Sequence, residues 1–94
     1  MIVTHDENGG WWDPVSPPKG DRWGPGSRIP ALVVSPLAKK GYVDHSLYDT
    51  NSILRLITRV HGLAPLDGVL ARDRAFEQDG RTPPGDMTGA LDLA

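Results

Sequence analysis

The chain has 94 residues, with 10 Lys and Arg against 12 Asp and Glu for a formal net charge of -2, 11 Gly, 9 Pro and no Cys. A single small domain is the most that length supports, and a chain of this size buries only a little over ~60% of its unfolded surface. The charge balance, with no block of like sign, argues against a nucleic-acid partner, and the missing thiols exclude disulfides and thiolate metal sites.

Met1-Ile2-Val3-Thr4 is a short apolar, β-branched run that breaks into Asp6-Glu7-Asn8-Gly9-Gly10, the pattern of a buried strand ending in a turn. Met1 falls within that strand, as expected for an internal start or an incomplete gene. Between Trp11 and Pro30 lie Pro14, Pro17, Pro18 and Pro25, so neither a helix nor a central strand persists. A long irregular loop results. Trp11, Trp12 and Trp23 imply that it is ordered and packed on something. Ala31-Leu32-Val33-Val34-Ser35, bounded by Pro30 and Pro36, is a second unbroken apolar run and suits a parallel strand covered on both faces.

After a turn and short extended piece at Lys39-Lys40-Gly41-Tyr42-Val43, the spacing predicts a helix over 50–61. Asp49 or Thr50 caps it, Ile53, Leu54, Ile57 and Val60 form its apolar stripe, and Gly62 takes the left-handed position after its end. A weaker helix covers Leu70 to Gln78, following the Pro65-Leu66-Asp67-Gly68 turn. Residues 1–78 are assigned to the folded portion and 79–94 to an extended tail. No segment reaches the roughly 20 apolar residues that span a bilayer, and the N-terminus has no signal-peptide pattern. Two strands that read as parallel and buried, with one good helix, do not complete an α/β layer, so the sequence has the look of a piece of a larger sheet.

The chemistry concentrates at Asp6 and Glu7, with His5 before them and Asn8 after. Carboxylate and carbonyl oxygens at a strand end suit Ca²⁺, Mg²⁺ or Mn²⁺, without excluding Zn²⁺, and Gly9-Gly10 lets the backbone pack closely. The same residues also make an ordinary solvated turn. His45 either faces the site as a proton donor or phosphate contact, or serves as a cap or surface residue. His5 is a ligand or a core residue. His61, at a helix C-terminus, suits the helix dipole on the surface. Arg28 either binds phosphate through its planar fork or pairs with an acidic neighbour such as Asp21. Trp11 and Trp12 either line a substrate pocket, where cation–π contact suits quaternary ammonium, or pack the loop on the sheet. Ser35 has no Gly-x-Ser-x-Gly elbow around it.

The string Thr4-His5-Asp6-Glu7-Asn8-Gly9-Gly10-Trp11-Trp12-Asp13-Pro14-Val15-Ser16-Pro17-Pro18 resembles the bacterial phosphoesterase family that contains phospholipases C and acid phosphatases. The likeness extends through Gly24-Pro25-Gly26-Ser27-Arg28-Ile29-Pro30, Gly41-Tyr42-Val43-Asp44-His45, Tyr48-Asp49-Thr50-Asn51 and Ala71-Arg72-Asp73 to Gly85-Asp86-Met87-Thr88, as in the C-terminal catalytic part of that family. The resemblance implies an alkaline-phosphatase-like α/β fold, with a mixed or parallel sheet and flanking helices. It implies hydrolysis of a phosphate mono- or diester, phospholipid included, at a divalent metal held by Asp6 and Glu7. His45 is then the candidate catalytic residue, and Trp11, Trp12 and Arg28 are the substrate candidates. Family members pair these ligands with an earlier Glu-Asn pair and a hydroxyl nucleophile, which nothing in the 94 residues matches. They also carry Asp-His where this chain has Asp13-Pro14. The missing N-terminal part is thus an expected partner, the isolated chain is expected to be inactive, and export to the periplasm or medium is implied. The alternative functions are a small non-catalytic binding module and an inactive gene remnant.

Overall fold

A computed structural model describes residues 1–93. In chain order it contains β1 (Ile2–Thr4), β2 (Ala31–Val33), α1 (Thr50–Val60), α2 (Asp67–Gln78) and a 3-10 turn at Thr88–Ala90.

The two strands pair antiparallel, with Ile2 opposite Val33, Val3 opposite Leu32 and Thr4 opposite Ala31. This corrects the parallel, doubly covered reading of the two apolar runs. An unbroken apolar run has no intrinsic strand direction, and direction is set by the connection. A parallel return calls for a crossover that passes over the sheet, usually as a helix, and the prolines between residues 14 and 30 forbid one. The chain instead loops back beside itself. Nor are the strands covered: Val3 and Val34 are exposed, and Leu32 retains 65% of its accessible surface.

α1 follows its sequence pattern closely. The Asp49 carboxylate accepts from the Ser52 amide at 3.1 Å, and the Ser52 hydroxyl accepts from the Asp49 amide at 3.1 Å, a reciprocal capping box. Asp49, rather than Thr50, is therefore the cap. At the other end Gly62 adopts φ +63°, and the Leu63 amide reaches back to the Thr58 carbonyl at 2.8 Å, satisfying an end carbonyl that the helix leaves open. The apolar stripe is only partly used. Leu54, Ile57 and Val60 stay exposed, Val60 at 69%.

α2 begins three residues earlier than Leu70, because Asp67 and Gly68 join its first turn and Asp67 places a negative charge at the positive helix end. The core lies between this helix and the following segment: among the described residues Val69, Phe76, Pro84 and Met87 are the buried apolar side chains, with Phe76 at 1% exposure. The segment after Asp79, expected to be extended, folds back over the preceding chain. Gly85 donates to the Leu47 carbonyl at 2.9 Å, Lys39 to Ala90 at 3.0 Å and Asp92 to Leu37 at 2.7 Å. Met87, at φ +68°, turns its side chain inward against the core.

Charged pairs complete the packing. Arg55 of α1 grips Asp73 of α2 through both guanidinium nitrogens. Arg59 reaches Asp86 at 2.6 Å. Arg72 lies between Asp21 of the loop (3.4 Å) and Asp49 (3.6 Å), so one guanidinium ties the long loop, the α1 cap and α2 together. None of the described helices is long and apolar enough to cross a membrane.

Candidate functional site

The acidic loop leaves the sheet at Thr4, whose hydroxyl donates to the Pro30 carbonyl at 2.8 Å and holds the loop's two ends together. Four residues later Asn8 stitches the turn. Its side-chain oxygen accepts from the Gly10 amide at 3.2 Å, its amide nitrogen donates to the Trp11 carbonyl at 3.2 Å, and its own carbonyl accepts from the Trp11 amide. Gly9 and Gly10 sit at φ +67° and +75°, where side chains are strained, and a Cβ on Gly9 would meet the Trp11 ring at 3.0 Å. The glycine pair is thus a backbone requirement of the turn that presents Asp6 and Glu7.

Both carboxylates are exposed. Asp6 accepts one hydrogen bond, from the Glu7 amide at 3.1 Å, and among the described residues neither carboxylate forms an ion pair. Two adjacent anionic oxygen donors with open lone pairs fit a hard divalent cation chemically. They fall short in number. Among the described residues no group of three or more His, Cys, Asp and Glu side chains could hold a metal, so His5 does not join the pair as a third ligand. Asp6 and Glu7 can provide only part of a coordination sphere that calls for about six ligands.

Just beyond this turn lies a contact that sequence reasoning missed. Arg28 donates from Nε and from a terminal nitrogen to the two oxygens of Asp13, both at 2.8 Å. The guanidinium, together with the Val15 amide, holds the Asp13 carboxyl at about 2 against an ordinary value of 3.8. Arg28 does pair with an acid, as one of its two readings supposed. The partner is Asp13, because Asp21 is taken by Arg72 and by the Trp23 amide. The only sequence signal was weak: Asp13 and Arg28 stand near opposite ends of the irregular loop, where a bond between them closes it.

Trp11 and Trp12 do not pack the loop on the sheet; they are 81% and 85% exposed. The expectation of a packed loop fails because the strands offer only three residues each, while side-chain-to-backbone turns order the loop without burial. His45 is exposed, and the α1 cap belongs to Asp49. His61 terminates α1 on the surface. Beside His45, Tyr48 donates to Asp44 at 2.5 Å, and that bond, with the Ser46 amide, holds Asp44 below the usual carboxylate range.

Two grooves open on the helical side. One, of about 320 Å³, is lined by Leu54, Arg59, Leu63, Leu66 and Val69 among others. The second, of about 640 Å³, runs past Trp23, Asn51, Leu66, Ala71 and Arg72. Neither contains Asp6, Glu7 or His45, and both are lined by more apolar than charged groups.

Aligned over the whole chain, phospholipase C B of Mycobacterium tuberculosis is 31% identical and phospholipase C A of the same organism 29%. The non-hemolytic phospholipase C of Burkholderia pseudomallei is 32% identical over a stretch covering 61% of this chain and 12% of its own. The chain spans about a fifth (21%) of the length of the mycobacterial proteins. No solved structure matches. The phosphoesterase family model matches residues 1–64, which take in the acidic loop, the Asp13–Arg28 pair, both strands and all of α1. This chain belongs to the phosphoesterase family.

Proposed function

We propose that the chain contributes the carboxylate part of a metal-dependent site for hydrolysing phosphoric esters, of the phospholipase C or acid phosphatase type. The observation that carries this reading is the pair Asp6 and Glu7: two exposed carboxylates without counter-ions among the described residues, on a turn whose glycines and Asn8 fix its shape, inside the segment that matches the family. A divalent cation, whether Ca²⁺, Mg²⁺, Mn²⁺ or Zn²⁺, would be held there by Asp6 and Glu7 and would supply polarisation of phosphoryl oxygens and a lowered pKa for a nucleophile. Further ligands and the hydroxyl nucleophile come from outside these 94 residues. The exposed faces of β1 and β2 and the unused stripe of α1 are the surfaces against which such a portion packs.

In this reading Arg28 and the Trp11-Trp12 pair form the substrate side, and His45 is the candidate proton donor. Arg28 is committed to Asp13, so its first role is to set the loop, with phosphate contact open to whatever hydrogen-bonding capacity remains. A phospholipid or smaller phosphate ester is the substrate, and the periplasm or the medium is the place of action.

A segment exchange tests the proposal. These residues replace the matching part of Mycobacterium tuberculosis phospholipase C B, and hydrolysis of p-nitrophenylphosphorylcholine is followed with and without divalent ions. The chimera should turn over in a cation-dependent way, and Asp6→Asn with Glu7→Gln should abolish turnover, whereas the 94-residue chain alone should show none. A folded chimera indifferent to Asp6 and Glu7, or turnover by the chain alone, would overturn it.

A further inference from the structure

The chain contains two asparagines, Asn8 and Asn51, and their amides stand in opposite chemical situations. An asparagine side chain is open to attack at Cγ by the main-chain nitrogen of the residue that follows it, which closes a succinimide ring. For this the nitrogen must be unencumbered, the side-chain oxygen must be able to take up negative charge, and the backbone must be free to turn.

Asn51 is protected. It lies in the first turn of α1, and the next amide, that of Ser52, already donates to the Asp49 carbonyl at 2.9 Å and to the Asp49 carboxylate at 3.1 Å. Ser52 is also fully buried.

Asn8 is followed by Gly9, which has no Cβ to shield its nitrogen and the widest backbone freedom of any residue. Among the described residues the Gly9 amide donates no hydrogen bond. The Asn8 side-chain oxygen accepts from the Gly10 amide at 3.2 Å, so a fixed donor lies on the atom that becomes anionic when Cγ is attacked. The departing group, Nδ2, is held by one bond to the Trp11 carbonyl at 3.2 Å, at the long end for an N–H···O contact. All of these contacts lie within residues 8–11, so the arrangement is set by the turn itself and is independent of what packs on the chain elsewhere.

We propose that Asn8 is a site of spontaneous deamidation, through which the acidic turn gains a third carboxylate. The Gly9 nitrogen forms a bond to Cγ and gives up its proton, the Cγ–Nδ2 bond breaks, and the nitrogen leaves with that proton as ammonia. Water then opens the ring. Addition at Cγ gives aspartate, and addition at the main-chain carbonyl carbon gives isoaspartate linked through Cγ. Either product is one unit more negative than the formal charge of -2, and both lose the Nδ2 bond to Trp11. The aspartate product sets three consecutive acids on the turn. On the reading that Asp6 and Glu7 hold a divalent cation, on which this consequence rests, the added charge strengthens that hold.

The test incubates the 94-residue chain with EDTA in weakly alkaline buffer, folded and in guanidinium chloride. The tryptic peptide of residues 1–19 is followed by mass spectrometry in ¹⁸O-water, and isoaspartyl methyltransferase counts the isoaspartate. Asn8 should convert in the folded chain at a rate of the same order as in guanidinium, incorporating ¹⁸O, while Asn51 of the folded chain stays intact. Conversion of Asn8 only in guanidinium, conversion in neither, or equal conversion of Asn51 in the folded chain would overturn the proposal. Asn8→Asp, which stands for the aspartate product, should bind Mn²⁺ about tenfold more tightly than the wild type, the effect of one further unit charge a few Å from a divalent ion in a water-like dielectric. Unchanged or weaker binding would overturn the third-carboxylate consequence. Loss of the hydrolytic reading has a different signature: neither chain would bind Mn²⁺ at residues 5–8, while Asn8 would still convert in EDTA.

Discussion

Replacing Asp73 by alanine leaves Arg55 with a guanidinium that has lost its only hydrogen-bonded carboxylate among the described residues, in a position where the side chains of Arg55 and Asp73 are only 16% and 19% exposed. The Arg55 Nε is already without a hydrogen-bond partner, and the nearby carboxylates of Asp49 and Asp86 act on the guanidinium through space, without a hydrogen bond to it. Removing one member of a fully buried pair costs about 3–5 kcal/mol. Both side chains here retain some contact with water, which brings the expected loss to about 2 kcal/mol. For a domain of this length each kcal/mol corresponds to roughly 4–8 °C in midpoint, so thermal unfolding followed by circular dichroism should shift down by about 8–16 °C. The double variant Arg55→Met, Asp73→Leu removes both charges and keeps most of the packing, and should recover at least half of that loss. A loss below about 0.5 kcal/mol in Asp73→Ala, the value of an exposed pair, would show that the contact between α1 and α2 is not the partly buried clamp described.

Three further outcomes follow from the same structure. Phe76→Ala removes the largest apolar side chain the fold buries, and should cost about 3–5 kcal/mol in urea unfolding, much of the stability of a core with so few buried members. Asp49→Ala should cost about 1 kcal/mol or somewhat more, since it opens the capping box and takes one of two carboxylates from Arg72. The Asp13–Arg28 bond has a pH signature: the folded carboxyl titrates at about 2 against 3.8 when free, so its stabilisation is present above about pH 4 and disappears as pH falls through about 2. Amide chemical shifts at Val15 and Arg28 should report that titration, and Asp13→Asn should remove it.

What could be read from sequence was local. Capping residues, the Ile53-Leu54-Ile57-Val60 stripe and the glycine at 62 specify α1 through interactions within a few positions, and the helix appears where they place it. The antiparallel direction of β2, the inward turn of Met87 and the partners of Arg28, Arg55 and Arg72 are relations between distant positions, and no periodicity encodes them. The exposed tryptophans mark a limit of another kind: residue type indicates what a side chain can bury against, but not whether this chain itself supplies the cover. At the acidic loop, Asp6 and Glu7 were legible as oxygen donors and Gly9-Gly10 as a required turn, while the Asp13–Arg28 clamp beside them became visible only with the loop closed.

The central claim, that Asp6 and Glu7 form the cation-binding part of the site, is tested most directly by titrating the ¹⁵N-labelled chain with Mn²⁺ and mapping paramagnetic broadening of its amide resonances. Broadening at substoichiometric Mn²⁺ should centre on residues 5–8 and vanish in the Asp6→Asn, Glu7→Gln variant. Broadening that centres on other carboxylates, or that persists unchanged in that variant, would contradict the claim.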